Sequence, residues 1–111
     1  MNTWNGLRAA ARSEAAFREE LVALALAVPL VFVFGATAAM RLVLILVVVL
    51  VMIVELLNTA IEKLSDRVST AFEPEIGRIK DMGSAAVGLS LTVAGLVWLF
   101  ALCQRIGLFS A

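Results

Sequence analysis

The chain has 111 residues, 62% of them hydrophobic and only 16% charged, and its nine basic side chains balance nine acidic ones. Such a composition lies well outside that of ordinary soluble domains and points to a membrane protein, while the lack of a basic excess or basic tract excludes nucleic acid as a partner. There is no histidine, so a His-based triad and an HExxH zinc site are excluded; GxxxxGK[ST] and GxGxxG are also absent, and any chemistry must run on carboxylates, lysine, arginine and amides.

From Trp4 to Glu20 the chain is rich in helix formers, and Trp4, Leu7 and Ala11 recur at spacings of three and four with Arg8, Arg12 and Arg18 interleaved. This predicts a short amphipathic helix, about 4–20, lying on the membrane surface. Three apolar runs follow: 21–40 without a charge, 42–62 with Glu55 as the only charge before Glu62, and 82–103 without a charge. At ~1.5 Å per residue each is long enough to cross a hydrocarbon core of about 30 Å, and lipid forces such a segment to be helical.

Pro29 falls in the middle of the first run and predicts a kink there. Ala36-Thr37-Ala38 has the look of a processing site, but the run exceeds a signal core and Glu14, Glu19 and Glu20 stand where a basic leader belongs, so the run reads as a retained span. Cys103 sits in an apolar stretch and behaves as a small hydrophobe. Residues 63–81, with Pro74 and Gly77, read as a turn between helices.

Seven of the basic residues (Arg8, Arg12, Arg18, Lys63, Arg67, Arg78, Lys80) flank one side of the spans, against Arg41 and Arg105 on the other. The asymmetry places the N-terminus and the 63–81 loop in the cytoplasm and the C-terminus outside. The expected fold is all-α: one membrane domain with a surface helix, three transmembrane helices, and assembly into an oligomeric helical bundle.

The informative stretch is VELLNTAIEKLSD, 54–66, which follows thirteen unbroken apolar residues from Leu42 to Val54. At 100° per residue, Glu55, Asn58, Glu62 and Asp66 stand at about 0°, 300°, 340° and 20°, a single stripe with Glu55 roughly 10 Å deeper than Glu62. An ionised carboxylate at membrane depth costs ~3 kcal/mol or more, so Glu55 must face protein or water. Asn58 alone also reads as glue between helices, but packing does not require further carboxylates pointing the same way.

A second polar set, Arg78, Lys80, Asp81 and Ser84, opens the third span. Spacings of three and four let Lys80, Asp81 and Ser84 face one neighbour, and Ser84, Gly88 and Thr92 continue as a small-residue surface for close helix packing, between subunits. Glu14 on its own reads as a solvated carboxylate paired with Arg18, and Trp98 as an interfacial anchor. Carboxylates at an interface with a lysine opposite suit a hard cation such as Mg²⁺ and the phosphates it carries, and one deeper carboxylate suits a base for a lipid hydroxyl.

Three motifs in order, WNGLRAA with EAAFREE at 4–20, ExxNTAIExxxD at 55–66 and KDMGSAA at 80–86, resemble the small integral-membrane diacylglycerol kinases of bacteria from Trp4 to Trp98. The resemblance implies an ATP- and Mg²⁺-dependent kinase that converts diacylglycerol to phosphatidic acid as a homotrimer with sites shared between subunits. It implies Glu55 as general base, Glu14 and Glu62 as metal ligands that also bind ATP, Lys80 and Asp81 as nucleotide contacts, and Asn58 and Asp66 as further functional positions. Lipid contacts implied in the same way are Arg8, Phe17, Arg18, Glu20, Ser84 and Trp98. The family pattern overturns the isolated reading of Glu14.

Departures from that pattern are a start almost at Trp4, where further surface-helix turns typically precede, Ala11 in place of an aromatic, and Phe72-Glu73-Pro74 in place of a tyrosine-histidine pair. They leave the acidic stripe intact and bear on nucleotide affinity and lipid preference. Competing readings are an undecaprenol kinase of the same family and a small proton-coupled exporter, although exporters of that kind usually show four spans.

Overall fold

The computed structural model describes residues 2–68 and 73–108, and the part of the 71–74 departure that falls on Ala71 and Phe72 lies outside them. Four helices follow in order: α1 (Thr3–Ser13), α2 (Ala15–Phe34), α3 (Ala38–Val68) and α4 (Pro74–Arg105). The 31 residues of α3 and 32 of α4 correspond to about 47 Å and 48 Å, well beyond a hydrocarbon core of about 30 Å. Both are long and apolar enough to cross a membrane, and their apolar stretches are mostly unburied. Leu26, Phe32, Leu46, Leu89 and Leu96 all face outward, the reverse of a soluble core. The chain is therefore a membrane protein.

The expected surface helix over 4–20 is two helices. Asn2 caps α1 by accepting from the Asn5 N–H at 2.9 Å, and the helix ends at Glu14, whose backbone is extended at φ −114° and ψ 110°. Arg18 accounts for the break: its guanidinium reaches back to the carbonyls of Ala11 and Arg12 at 3.2 and 3.0 Å, satisfying acceptors that a helix end leaves open. Beyond this elbow α2 runs unbroken from Ala15 into the apolar segment.

The first apolar run is likewise not one helix to residue 40. Only Leu21 to Phe34 of it is helical within α2, about 21 Å of apolar length, and the chain then breaks at Gly35. Thr37 starts the next helix early, its hydroxyl accepting from the Met40 N–H at 3.1 Å, as a capping threonine does. Arg41, inside the first turn of α3, folds back so that Nε donates to the Gly35 carbonyl at 3.2 Å and the guanidinium covers the Phe32 ring at 5.0 Å. A side chain on Gly35 would meet Arg41 Cγ at 2.7 Å, so the tight reversal depends on glycine. Helix also replaces much of the expected 63–81 loop: α3 continues to Val68, and Pro74 at the first position of α4 restarts it with Glu75 in the first turn.

Packing holds the helices at both ends. At the Gly35 end Val31, Leu44 and Ala101 form a buried cluster against which Phe34 and Trp98 pack, the two rings edge to face with centroids 5.2 Å apart. Near the other end Ala10 of α1, Phe17 of α2 and Met52 of α3 are buried together, supported by Leu24 and Leu56. The side of α4 that meets α3 reads Lys80, Gly83, Val87, Ser90, Ala94, Val97 and Ala101, alternating by three and four, a seam of the coiled-coil type. Ser84, Gly88 and Thr92 are exposed in the single chain, so the small-residue surface read from the sequence has no partner within it.

Candidate active site

The acidic stripe of α3 faces the crevice toward α2 and α4 and changes character along its length. Glu55 is half-buried, Asn58 is 9% exposed, and Glu62 and Asp66 lie open to water. Exposure thus increases along the stripe from Asn58 toward Asp66.

Asn58 packs directly against Gly83 of α4. Its amide Nδ2 donates to Glu62 Oε1 at 3.2 Å, one turn further along the helix, and so orients that carboxylate. Its Oδ1 lies against Gly83, where an added side chain would overlap it and would stand 3.2 Å from Asn58 Cγ. That oxygen is buried without a hydrogen-bond partner. An unsatisfied interior acceptor costs ~1–3 kcal/mol, so this contact is held against a polar penalty by the close approach of α4 at Gly83.

Two lysines flank the stripe. On the α4 edge Lys80 Nζ contacts Asp66 Oδ1 at 2.6 Å, tying the start of α4 to the end of α3. On the other edge Lys63 Nζ contacts Glu14 Oε1 at 2.8 Å. Glu14 therefore makes no capping bond to α2 and is not paired with Arg18, the partner its spacing suggested; the guanidinium is occupied by carbonyls of α1. The elbow delivers Glu14 toward α3, which the separation of residues 14 and 62 along the chain conceals.

Glu20, just before the apolar run that begins at Leu21, turns out to be the neighbour of Glu55. Its carboxyl is pushed up to about 7, first by burial and then by the negative charges of Glu55 and Glu19. Its Oε2 is buried without a partner. The packing of Phe17 and Leu24 of α2 with Met52 and Leu56 of α3 brings the two helices together at this level.

Other sequence-derived positions are placed differently. Lys80, Asp81 and Ser84 do not share one neighbour: Lys80 turns to α3, while Asp81 and Ser84 are exposed because the α3-facing position of that turn belongs to Gly83. Phe17 is 5% exposed in the core beneath α1, and Arg18 caps α1, so both shape the elbow. Arg8 is exposed on the outer side of α1 beside Arg12 and Asn5. Trp98 lies fifteen residues beyond Gly83, about 22 Å along α4, in the opposite cluster with Phe34. Between α1 and α3 runs a groove of about 400 Å³ lined by Leu7, Ala10, Leu56, Thr59 and Ala60, with Glu14 and Lys63 at its edge. Lys63 and Gly83 were not singled out by the sequence, although Lys63, at about 80° on the helical wheel, already flanked the stripe.

The family model for prokaryotic diacylglycerol kinase matches residues 1–102. The chain belongs to that family. It is 48% identical over 105 residues to the diacylglycerol kinase of Escherichia coli K12, covering 95% of this chain and 86% of that one. The diacylglycerol kinase of Haemophilus influenzae is 42% identical over 93 residues, 84% of this chain and 79% of the relative, and that of Helicobacter pylori 34% over 94 residues, 85% and 73%. All three motifs lie within the matched residues, and two of them meet where Asn58 lies against Gly83.

Gly83→Ala forces Asn58 away from Glu62, and we expect it to lower phosphoryl-transfer activity at least tenfold, whereas Gly77→Ala, with open space around it, leaves activity near wild type. Parallel assays of the two purified variants check this. Glu20 supplies a pH test. Its folded value of about 7 exceeds the unfolded 4.5, so the folded protein holds a proton that the unfolded chain has released, and stability falls as pH rises through that window. Glu20→Gln should flatten this fall, gaining stability over wild type at pH 8 but not at pH 4, as measured by thermal unfolding in detergent.

Proposed function

We propose that this chain is an ATP-dependent membrane lipid kinase that transfers the γ-phosphoryl group of ATP to the hydroxyl of diacylglycerol, giving phosphatidic acid. The observation that carries the reading is the depth gradient of the stripe: Glu55 half-buried, Asn58 buried and holding Glu62, and Glu62 and Asp66 open to water. One end meets a hydroxyl dissolved in lipid and the other meets a nucleotide dissolved in water. Membership of the kinase family supports it independently.

In this reading the Glu55 carboxylate takes the proton of the lipid hydroxyl as its oxygen bonds to the γ-phosphorus and the bond from that phosphorus to the β-γ bridging oxygen breaks, releasing ADP. Asn58 holds Glu62 in place through its amide Nδ2. Lys80 and Asp81 contact the nucleotide, with Asp66 holding the Lys80 ammonium in position. Ser84 and Glu20 are assigned to the lipid head, with Arg8, Phe17, Arg18 and Trp98 as further lipid contacts; Phe17 and Arg18 act by shaping the elbow, and Trp98 by meeting the far end of an acyl chain.

Glu14 and Glu62 would hold Mg²⁺. The donor set is all oxygen, which suits a hard cation that shares its coordination with the substrate's own phosphates. When bound, Mg²⁺ neutralises charge on the β- and γ-phosphates. We further infer that α2, α3 and α4 all cross the bacterial inner membrane, with the N-terminus and the segment joining α3 to α4 in the cytoplasm and the C-terminus in the periplasm, from the distribution of lysine and arginine. The exposed surface of Ser84, Gly88 and Thr92 supports close packing of copies of the chain, as a homotrimer.

The test is direct. Purified protein in mixed micelles with Mg²⁺ and radiolabelled ATP should label diacylglycerol in preference to undecaprenol; preference for undecaprenol would overturn the choice of alcohol. No labelled lipid at all, with proton-driven cation movement in proteoliposomes, would overturn the kinase. Glu55→Gln should reduce turnover by about 10³-fold or more with ATP binding retained, while Glu62→Gln should weaken binding of the Mg²⁺-nucleotide itself. Equal losses of nucleotide affinity in both variants would refute this division of roles.

A further inference from the structure

Building on the kinase reading, the acidic stripe raises an electrostatic difficulty that Lys80 does not resolve alone. Glu14, Glu55, Glu62, Asp66 and Asp81 all belong to the site, and the approaching nucleotide is itself an anion. Lys80 is held by Asp66 at 2.6 Å, and Arg78 by Glu75 at 2.9 Å. Lys63 is the cation already in contact with a carboxylate assigned to the metal, at 2.8 Å from Glu14.

Its position is informative. Lys63 stands at the edge of the largely apolar groove between α1 and α3, and it also lines a second recess of about 400 Å³ with Leu64, Asp66 and Arg67. The first space is oily, while the second is charged and open to water. Lys63 thus lines both spaces, between Glu14 of the elbow and Asp66 of the stripe. Its side chain is 64% exposed although it is ion-paired, against 24% for Glu14, so the ammonium can swing on its flexible stem while the carboxylate stays fixed by the elbow.

We propose that Lys63 is a second phosphate-binding residue: without nucleotide it holds the Glu14 carboxylate in place, and when Mg²⁺-nucleotide binds it yields that carboxylate and turns its ammonium to the phosphate chain. The exchange keeps Glu14 neutralised in both states, so the elbow between α1 and α2 need not be reorganised when substrate arrives. Lysine suits this task better than arginine would at a fixed bidentate contact, because it is a compact charge on a mobile chain.

The test compares wild type, Lys63→Gln and Lys63→Arg in detergent, with helix content checked by circular dichroism. Two quantities are measured: affinity for Mn²⁺ alone by electron paramagnetic resonance, and affinity for the Mg²⁺ complex of a non-hydrolysable ATP analogue by calorimetry. Lys63→Gln should bind Mn²⁺ alone more tightly, because the ammonium no longer competes for Glu14. It should bind the Mg²⁺-nucleotide about tenfold more weakly, and Lys63→Arg should recover most of that loss. Unchanged affinities in Lys63→Gln, or a parallel fall in both, would overturn the proposal and leave Lys63 as a strut for the elbow. Failure of the wild type to bind the nucleotide would instead refute the kinase reading on which the proposal rests.

Discussion

The contact between Asn58 and Gly83 places a primary amide against a helix backbone in the interior of a membrane protein, a position most side chains on α4 would close off. Because lipid offers no hydrogen bonds, an amide at that depth must find partners inside the protein, and Asn58 finds one in Glu62. The same contact sets the separation of α3 and α4, orients the exposed carboxylate, and lets Lys80, three residues before Gly83, reach Asp66 eight residues beyond Asn58. The register of the seam from Lys80 to Ala101 follows from it, and Trp98 is carried to Phe34 at the opposite end.

Around that contact the molecule is built inside out. Its large apolar side chains mostly face outward, its buried apolar clusters are small, and polar groups collect at one end of the crevice between α2, α3 and α4. Association of helices in lipid gains little from apolar burial, so close approach through glycine and serine and a few internal hydrogen bonds carry more of the work than they would in water. Ser90 illustrates the economy: it lies in the α3 seam and satisfies its hydroxyl on the Val87 carbonyl of its own helix at 2.8 Å.

The elbow at Glu14 connects this bundle to the surface. Arg18 terminates α1, Ala10 and Phe17 fold it down over Met52, and the carboxylate of the elbow residue is presented to α3 rather than to its own helix. A carboxylate held by a lysine that remains largely in water is positioned without being locked.

Composition and hydropathy by themselves determined that this is an all-α membrane protein, because in lipid the backbone has few alternatives. Helical periodicity placed Glu55, Asn58, Glu62 and Asp66 on one stripe, along which Asn58 is buried and Glu55 half-buried while Glu62 and Asp66 are exposed. Both are local consequences of 3.6 residues per turn and of the cost of an isolated charge in hydrocarbon. Where helices stop was less legible: the breaks at Glu14 and Gly35 depend on Arg18 and Arg41 reaching back six or seven residues to free carbonyls, which no apolar run records. Pairings between helices were settled only by tertiary structure. Glu14 with Lys63, Glu20 beside Glu55, and Gly83 rather than Ser84 against Asn58 all follow from the angle at which the helices cross, and periodicity along one helix contains no information about its neighbour.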